Sequence, residues 1–357
     1  MTILDLRPWY VRAWSRRQPG AEPPRGIAAW ATALADRAIA RRVAARPAPP
    51  PGLGVVSVGN LALGGTGKTP VAIALAQGLA AAGWSGAVLT RGYGSRQPGP
   101  LTVAPDDPQA ADEARLMAAA LAGTGWFVLQ ARRRAAGLDH LAGRLPRGSV
   151  ILLEDGHQTA GVGRHLDVVI LDAWRESPGL VACTGPVAPF GSWRESAAGA
   201  ARAAVWLVES PAPPVAPTGG PAAVVGFVRT VRLADPSGHA CRPAGPWAAL
   251  SGIAHPVRFE TGAAGIIGAA PTLAVRCADH EPYAPARLAR ITAAIRASGA
   301  ALTVTTEKDW VKLQGRWPAD LPVAVARLDV AWTGGQALPA LVGERLAAIG
   351  LAAERSG

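Results

Sequence analysis

The chain is 357 residues long and 49% hydrophobic, with 42 glycines and 32 prolines, which excludes a disordered tail and suits one large domain or two. Its 36 basic residues against 25 acidic ones leave a formal charge of +11, which suits anionic partners. No basic stripe interleaved with aromatics is present to stack on bases, so nucleic acid is not expected, and no apolar run approaches the roughly eighteen residues of a spanning helix.

The start, "MTILDLRPWYVRAWSRR", lacks the basic-then-apolar-then-cleavage order of a secretory signal. Residues 26–46 read as a helix carrying Ile27, Trp30, Leu34 and Ile39, with Arg37, Arg41, Arg42 and Arg46 crowding its end. Such a segment suits an anionic membrane surface; the alternative is a helix packed on the body, its arginines favoured by the helix C-terminus. After the break "RPAPPPG" come a strand "LGVVSV", a glycine-rich loop and a helix "VAIALAQGLAAAG". The runs "GAVLT", "WFVLQ", "SVILLED", "LDVVILD" and "AAVWLVE" read as buried strands alternating with helices, which predicts a mostly parallel sheet covered on both faces. Residues 210–223 mark a boundary, and "ADPSG" beyond it reads as a hairpin or an extended linker. A second, smaller α/β unit begins near Trp247, and the last twenty residues read as a helix. The expected organisation is an N-terminal membrane-surface helical segment over 1–46, a core over 47–222, a β linker over 223–245, a second α/β domain over 246–335 and a C-terminal helix over 336–357. Cys183, Cys241 and Cys277 lack metal-ligand spacing, which fits a reducing compartment.

The loop "SVGNLALGGTGKTP" ends as a phosphate cradle does. Gly64, Gly65, Thr66 and Gly67 supply the turn, Lys68 the charge that reaches outer phosphates, and Thr69 a hydroxyl for Mg²⁺. Ala62 stands where a generic cradle has its first glycine. Pro70 fits the first turn of the following helix. Lys68, Lys308 and Lys312 are the only lysines among the 36 basic residues, and each lies in a compact polar motif. In "TRGYGS", after the next strand, Arg91 suits a bidentate phosphate clamp, while Tyr93 reads equally as a packing residue. Asp112 and Glu113 open a helix, where carboxylates serve either as dipole partners or as a base for an acceptor hydroxyl. In "VILLEDGHQ" a strand runs into Glu154 and Asp155, either of which suits the strand-end acid that holds Mg²⁺ or its water. His157 and Gln158 share that turn, and Asp172 repeats the strand-then-acid form with a structural role equally in view. Asp279 and His280 follow a later strand, where a histidine suits proton handling. Glu307, Lys308, Asp309 and Lys312 open a further helix with Thr306 as a possible cap, a group that reads either as capping and salt bridges or as part of a site.

The ordered set "VGNLALGGTGKTP", "LTRGYGS", "DE", "LEDGHQ", "LDVVILDA", "GSWRE", "SGIAHPVRF", "DHEPY" and "TTEKDWVKL", over roughly residues 55–315, resembles the tetraacyldisaccharide 4'-kinases, the lipid A 4'-kinases of Gram-negative bacteria. That resemblance implies an α/β, P-loop NTPase-like, mostly parallel sheet with a second, smaller α/β domain and an N-terminal amphipathic helix. It also implies an enzyme peripheral to the cytoplasmic face of the inner membrane. Such an enzyme transfers the γ-phosphate of ATP, with Mg²⁺, to the 4'-hydroxyl of a tetraacylated glucosamine disaccharide 1-phosphate, and no obligate protein partner is expected. By the same resemblance Asp112 is the catalytic base and His280 its partner, and the missing glycine at Ala62 is a family trait. The usual Asp-Asp before glycine is Glu154-Asp155 here, an aromatic is usual where His157 stands, a histidine is common at Thr159, and a glycine often occupies the position of Ala111. Two other readings compete: a P-loop nucleotide-dependent enzyme of another class, and a non-enzymatic nucleotide-dependent membrane-docking protein. A guanine-reading Asn-Lys-x-Asp element and a nucleophilic cysteine elbow are both missing, which disfavours a GTPase and a glutaminase partner.

Overall fold

The structure is a computed structural model and describes residues 1–7, 26–63, 67–171, 187–188, 193–214, 223–243 and 245–353. In chain order the strands are β1 (Thr2–Asp5), β2 (Gly54–Asn60), β3 (Gly86–Thr90), β4 (Leu101–Thr102), β5 (Phe127–Gln130), β6 (Val150–Glu154), β7 (Leu166–Leu171), β8 (Val205–Glu209), β9 (Ala223–Ala234), β10 (Trp247–Ser251), β11 (Leu273–Arg276), β12 (Leu302–Thr306) and β13 (Val323–Thr333). The described helices are α1 (Ile27–Ala44), α2 (Lys68–Ala81), α3 (Asp112–Ala120), α4 (Arg134–Ala142), α5 (Pro256–Ile267), α6 (Pro285–Ala297), α7 (Glu307–Leu313) and α8 (Leu338–Ala347), with a 3-10 helix over Ala197–Arg202.

The chain forms two compact units, 19–229 with 330–357 and 1–18 with 230–329, and it passes between them within β9 and β13. In the larger unit the strand order is β9-β8-β7-β2-β6-β3-β5-β4. Every pairing there is parallel except that of β4 with β5. Alternate residues feed opposite faces, as a two-residue period requires. Val56, Val58, Val88, Leu152 and Val168 pack with residues of α2, α3 and α8 on one side. Val55, Leu89, Ile151 and Leu153 meet Leu138 and Leu141 of α4 on the other. Because both faces are covered, these strands are continuous apolar runs, and polarity concentrates at their C-terminal ends: Asn60, Thr90, Gln130, Glu154 and Glu209 are all buried. Ligands collect at that edge of a parallel sheet.

The smaller unit has the order β1-β11-β10-β12-β13, all parallel. Residues of α6 and α7 pack on one face through Leu288, Ile291, Ile295 and Leu313, and α5 covers the other through Phe259 and Ala263. Residues 2–5 therefore depart from the helical segment expected over 1–46. They form an edge strand whose Leu4 packs with the core of the smaller unit. Of the helix expected over the last twenty residues, the described part is Leu338–Ala347, after which the chain turns at Gly350 with φ +82°. "ADPSG" is a hairpin turn, with the Asp235 amide donating to the His239 carbonyl at 2.8 Å. Cys241 and Cys277 are free thiols, whereas Cys183, Asp172, Gly64, Gly65 and Thr66 lie outside the described residues.

Candidate functional site

Strand β2 ends at Asn60, whose side-chain amide donates to the Ala62 carbonyl at 2.7 Å, so the loop turns immediately. Gly67, just before the following helix, has a left-handed φ of +83°, a region that favours glycine. A Cβ there would also stand 2.6 Å from an Arg229 guanidinium nitrogen. Helix α2 begins at the next residue with no side-chain cap and no acid in its first turn, so its N-terminal amides and the helix dipole favour an anion. Lys68 and Thr69 are the first two residues of that helix.

The neighbouring strand β6 delivers Glu154 and Asp155 beside this helix start. Asp155 has a left-handed φ of +54°; its Oδ1 lies 3.9 Å from Lys68 Nζ and accepts from Arg194 at 2.6 Å. Burial works against its charge, but Lys68 and Arg194 outweigh that and hold the carboxyl below the ordinary carboxylate value. Glu154 faces the opposite balance. Burial, joined by the Glu113 and Asp155 carboxylates, pushes it up to about 7 despite Arg134 and Lys68, and it accepts a hydrogen bond from Thr90 at 3.0 Å. Arg134, fully buried and pushed down to about 10 chiefly by burial, donates to the Leu89 and Glu154 carbonyls and so ties the ends of β3 and β6 together.

The raised Glu154 value has a consequence for stability. The folded state holds a proton that the unfolded state releases between pH 4.5 and about 7, so this residue costs stability as pH rises through that window. Without nucleotide or Mg²⁺, Glu154→Gln is expected to gain on wild type by up to roughly 3 kcal/mol between about pH 5 and about pH 8, measured by chemical denaturation. A gap that does not change with pH would contradict it.

The third strand end, Gln130 of β5, escaped sequence reasoning because a lone glutamine at a strand end carries no motif. It is fully buried. Its Oε1 accepts from the Ala111 amide at 2.8 Å, and its Nε2 donates to Ser95 Oγ at 2.9 Å and to the Gln97 carbonyl at 3.2 Å. Gly92, with φ +68°, closes on the same side chain, and a Cβ there would fall 2.1 Å from Gln130 Cγ. One amide thus registers the Arg91–Ser95 loop against the start of α3, where Asp112 and Glu113 occupy the first turn. Arg91 and Tyr93 are exposed, and Asp112 and Glu113 half-buried. Gln130→Ala orphans the buried Ala111 amide and is expected to cost about 1–3 kcal/mol, seen as a fall in thermal midpoint.

The segment that supplies Arg194 is held against the loop entrance: Ala62 bridges Trp193, and the Arg194 amide donates to the Leu61 carbonyl at 2.7 Å. Buried Glu195 accepts from Gln158 and Arg202, each at 2.6 Å. Gln158 also donates to the Asn60 carbonyl at 2.8 Å. His157 is buried beside the same network, its Nε2 2.9 Å from the Gly199 carbonyl. Arg194 and Glu195 were legible only as members of the "GSWRE" motif, and Arg134 not at all, since their partners lie far along the chain.

His280, Glu307, Lys308 and Asp309 belong to the smaller unit, and Asp112 to the larger. Asp309 is fully buried and accepts from the Gly252 amide, Tyr283 Oη and Thr306 Oγ1 at 2.9, 2.9 and 2.6 Å. Thr306 caps α7 by accepting from the Asp309 amide at 3.2 Å. Glu307, its carboxyl raised by burial, pairs with Arg327 at 3.6 Å. These contacts give Asp309 and Glu307 a fastening role. Lys308 instead reaches Asp279 at 2.9 Å and His280 at 3.3 Å.

Among the described residues no three His, Cys, Asp or Glu side chains form a metal cage. Mg²⁺ needs none, because it binds through one or two hard oxygens together with substrate phosphates. The Asp155 carboxyl and the Thr69 hydroxyl are donors of that kind, and Glu154 is engaged by Thr90.

Comparison with known proteins gives the family. The family profile described as tetraacyldisaccharide-1-P 4'-kinase matches residues 26–347. The tetraacyldisaccharide 4'-kinase of Dinoroseobacter shibae is 39% identical over 317 residues, covering 84% of this chain and 85% of that protein. Its counterpart in Phenylobacterium zucineum is 35% identical, over 89% and 92%. Among solved structures, LpxK from Aquifex aeolicus in complex with ATP is similar with a TM-score of 0.66 at 23% identity, covering 88% of this chain and 96% of that one, a likeness of fold.

Proposed function

This chain belongs to the tetraacyldisaccharide-1-P 4'-kinase family, and on that footing we propose that it transfers the γ-phosphate of ATP to the 4'-hydroxyl of a tetraacylated glucosamine disaccharide 1-phosphate. The observation that carries the reading is the approach of Asp155 to Lys68, with Thr69 next in the chain, at an uncapped helix start beyond β2. Lys68 and the amides of Gly64, Gly65, Thr66 and Gly67 hold the β and γ phosphates. Thr69 and the Glu154-Asp155 pair hold Mg²⁺, Asp155 being the acid beside Lys68. Mg²⁺, when bound, neutralises charge on the phosphate oxygens. Arg91 stabilises phosphate charge from the exposed loop after β3, and Gln158 and Glu113 line the same region.

In the reaction the acceptor oxygen forms a bond to the γ-phosphorus as the bond to the β–γ bridging oxygen breaks, and ADP leaves. Asp112 takes the hydroxyl proton, assisted by His280. ADP release that rises with added lipid disaccharide 1-phosphate supports the proposal; release indifferent to the acceptor counts against it.

The acceptor's four acyl chains keep it in a bilayer, so the enzyme is proposed to work from the cytoplasmic face of the inner membrane as a peripheral protein. Ile27, Trp30 and Leu34 are 75%, 67% and 52% exposed and lie on one stripe of α1 by their spacing, with Arg41 and Arg42 in its last turn. On its other side α1 is fastened to the larger unit, where Asp36 accepts from the Ser196 amide at 2.9 Å. No helix among the described residues is long and apolar enough to cross a membrane. Changing Ile27, Trp30 and Leu34 together to serine is expected to weaken binding to anionic vesicles by at least about tenfold. Sedimentation with vesicles checks this, and unchanged binding would remove α1 from the docking surface.

A further inference from the structure

We propose that Lys308 is a positioning residue that decides which ring nitrogen of His280 carries the proton, and so makes His280 a hydrogen-bond donor and not the proton acceptor. The inference rests on the reading of His280 as a residue of the reaction.

Lys308 lies in the first turn of α7, whose start is anchored by buried Asp309 through Thr306, Gly252 and Tyr283. Its ammonium stands 2.9 Å from Asp279 Oδ1 and 3.3 Å from His280 Nε2. The same Asp279 oxygen accepts from the His280 amide at 3.1 Å. That bond steadies a residue whose φ of +59° is left-handed without being glycine. Asp279 therefore holds both the backbone of His280 and the lysine that meets its ring.

An ammonium has three donors and no acceptor. At Nε2 it needs a lone pair, since a proton there would set N–H against N–H. A neutral imidazole carries one N–H, so the proton sits on Nδ1. With Nε2 engaged by Lys308, the ring acts through Nδ1–H, donating to an oxygen of the acceptor. His280 then orients an oxygen while Asp112 removes the proton. A compact ammonium on a flexible stem suits this bridge between a carboxylate and a ring nitrogen better than a planar guanidinium does. The chain places one of its few lysines there, although arginine is its common cation.

The test is long-range ¹⁵N–¹H correlation spectroscopy on the full chain labelled at histidine. It has six histidines, and His280 is assigned by its loss in His280→Gln. Wild type is expected to show the proton on Nδ1, and Lys308→Met to move it to Nε2 in at least part of the population. Turnover of Lys308→Met on the lipid acceptor should fall about tenfold with KM for ATP unchanged, and Lys308→Arg should recover part of both signals. A proton on Nε2 in wild type, or an unchanged pattern in Lys308→Met, overturns the proposal. Wild-type turnover in His280→Gln would instead sink the catalytic reading of His280, leaving the Lys308 placement to be decided by the spectra.

Discussion

Asp112→Asn is expected to lower turnover by about 10²–10⁴-fold, the usual contribution of a positioned general base, while KM for ATP stays close to wild type. Asparagine keeps the shape and polarity of the side chain but accepts no proton at neutral pH. The start of α3 keeps the Gln130 bond to the Ala111 amide in this variant. The proposed phosphate site lies on other elements, at the start of α2 and the end of β6. Steady-state kinetics with ATP varied at saturating acceptor separates the two parameters. Near-normal turnover would remove Asp112 from the proton transfer, and a large rise in KM for ATP would make it a nucleotide ligand instead.

Lys68→Met should be of similar size by a different route, about 10²–10³-fold in kcat/KM for ATP, comparable to the loss of one preorganised charge-stabilising donor. Two effects combine. The phosphates lose a cation at the helix N-terminus, and Asp155 loses the first of the three positive charges, Lys68, Arg194 and Arg134, that hold its carboxyl down. Lys68→Arg is not expected to rescue, since a planar fork is a poor substitute for a point charge at a loop so closely packed that Arg229 lies against Gly67. Direct nucleotide binding with and without Mg²⁺ checks the assignment, and an affinity unaffected by Lys68→Met contradicts it.

These two residues also mark what the sequence disclosed. Lys68 and Thr69 were legible because a strand, a tight turn and a helix start are contiguous, so the chemistry is written in neighbouring letters. The parallel sheet was legible for a similar reason, since strands buried on both faces are unbroken apolar runs. Asp112 was ambiguous by position alone, because a carboxylate in a first turn serves the helix dipole equally well. The resemblance to a known family raised it above that alternative. Not legible were partnerships across the chain, such as Arg194 with Asp155, 39 residues apart, and Arg134 with the Leu89 carbonyl, 45 residues apart. Each depends on which strand ends become neighbours. Strand β1 was missed because four residues at a sheet edge leave too short a pattern. The Glu154-Asp155 pair reads as two equivalent acids, yet burial beside Thr90 and pairing with Lys68 and Arg194 drive them in opposite directions.

The central claim is tested most directly by locating the new phosphate. The purified chain is incubated with ATP, Mg²⁺ and the tetraacylated disaccharide 1-phosphate, and the lipid product is analysed by mass spectrometry and phosphorus NMR. A product with a second phosphate, at the 4' position, formed by wild type and not by Asp112→Asn, is the predicted result. ATP hydrolysis with the acceptor unmodified, or a phosphate at another hydroxyl, would contradict it.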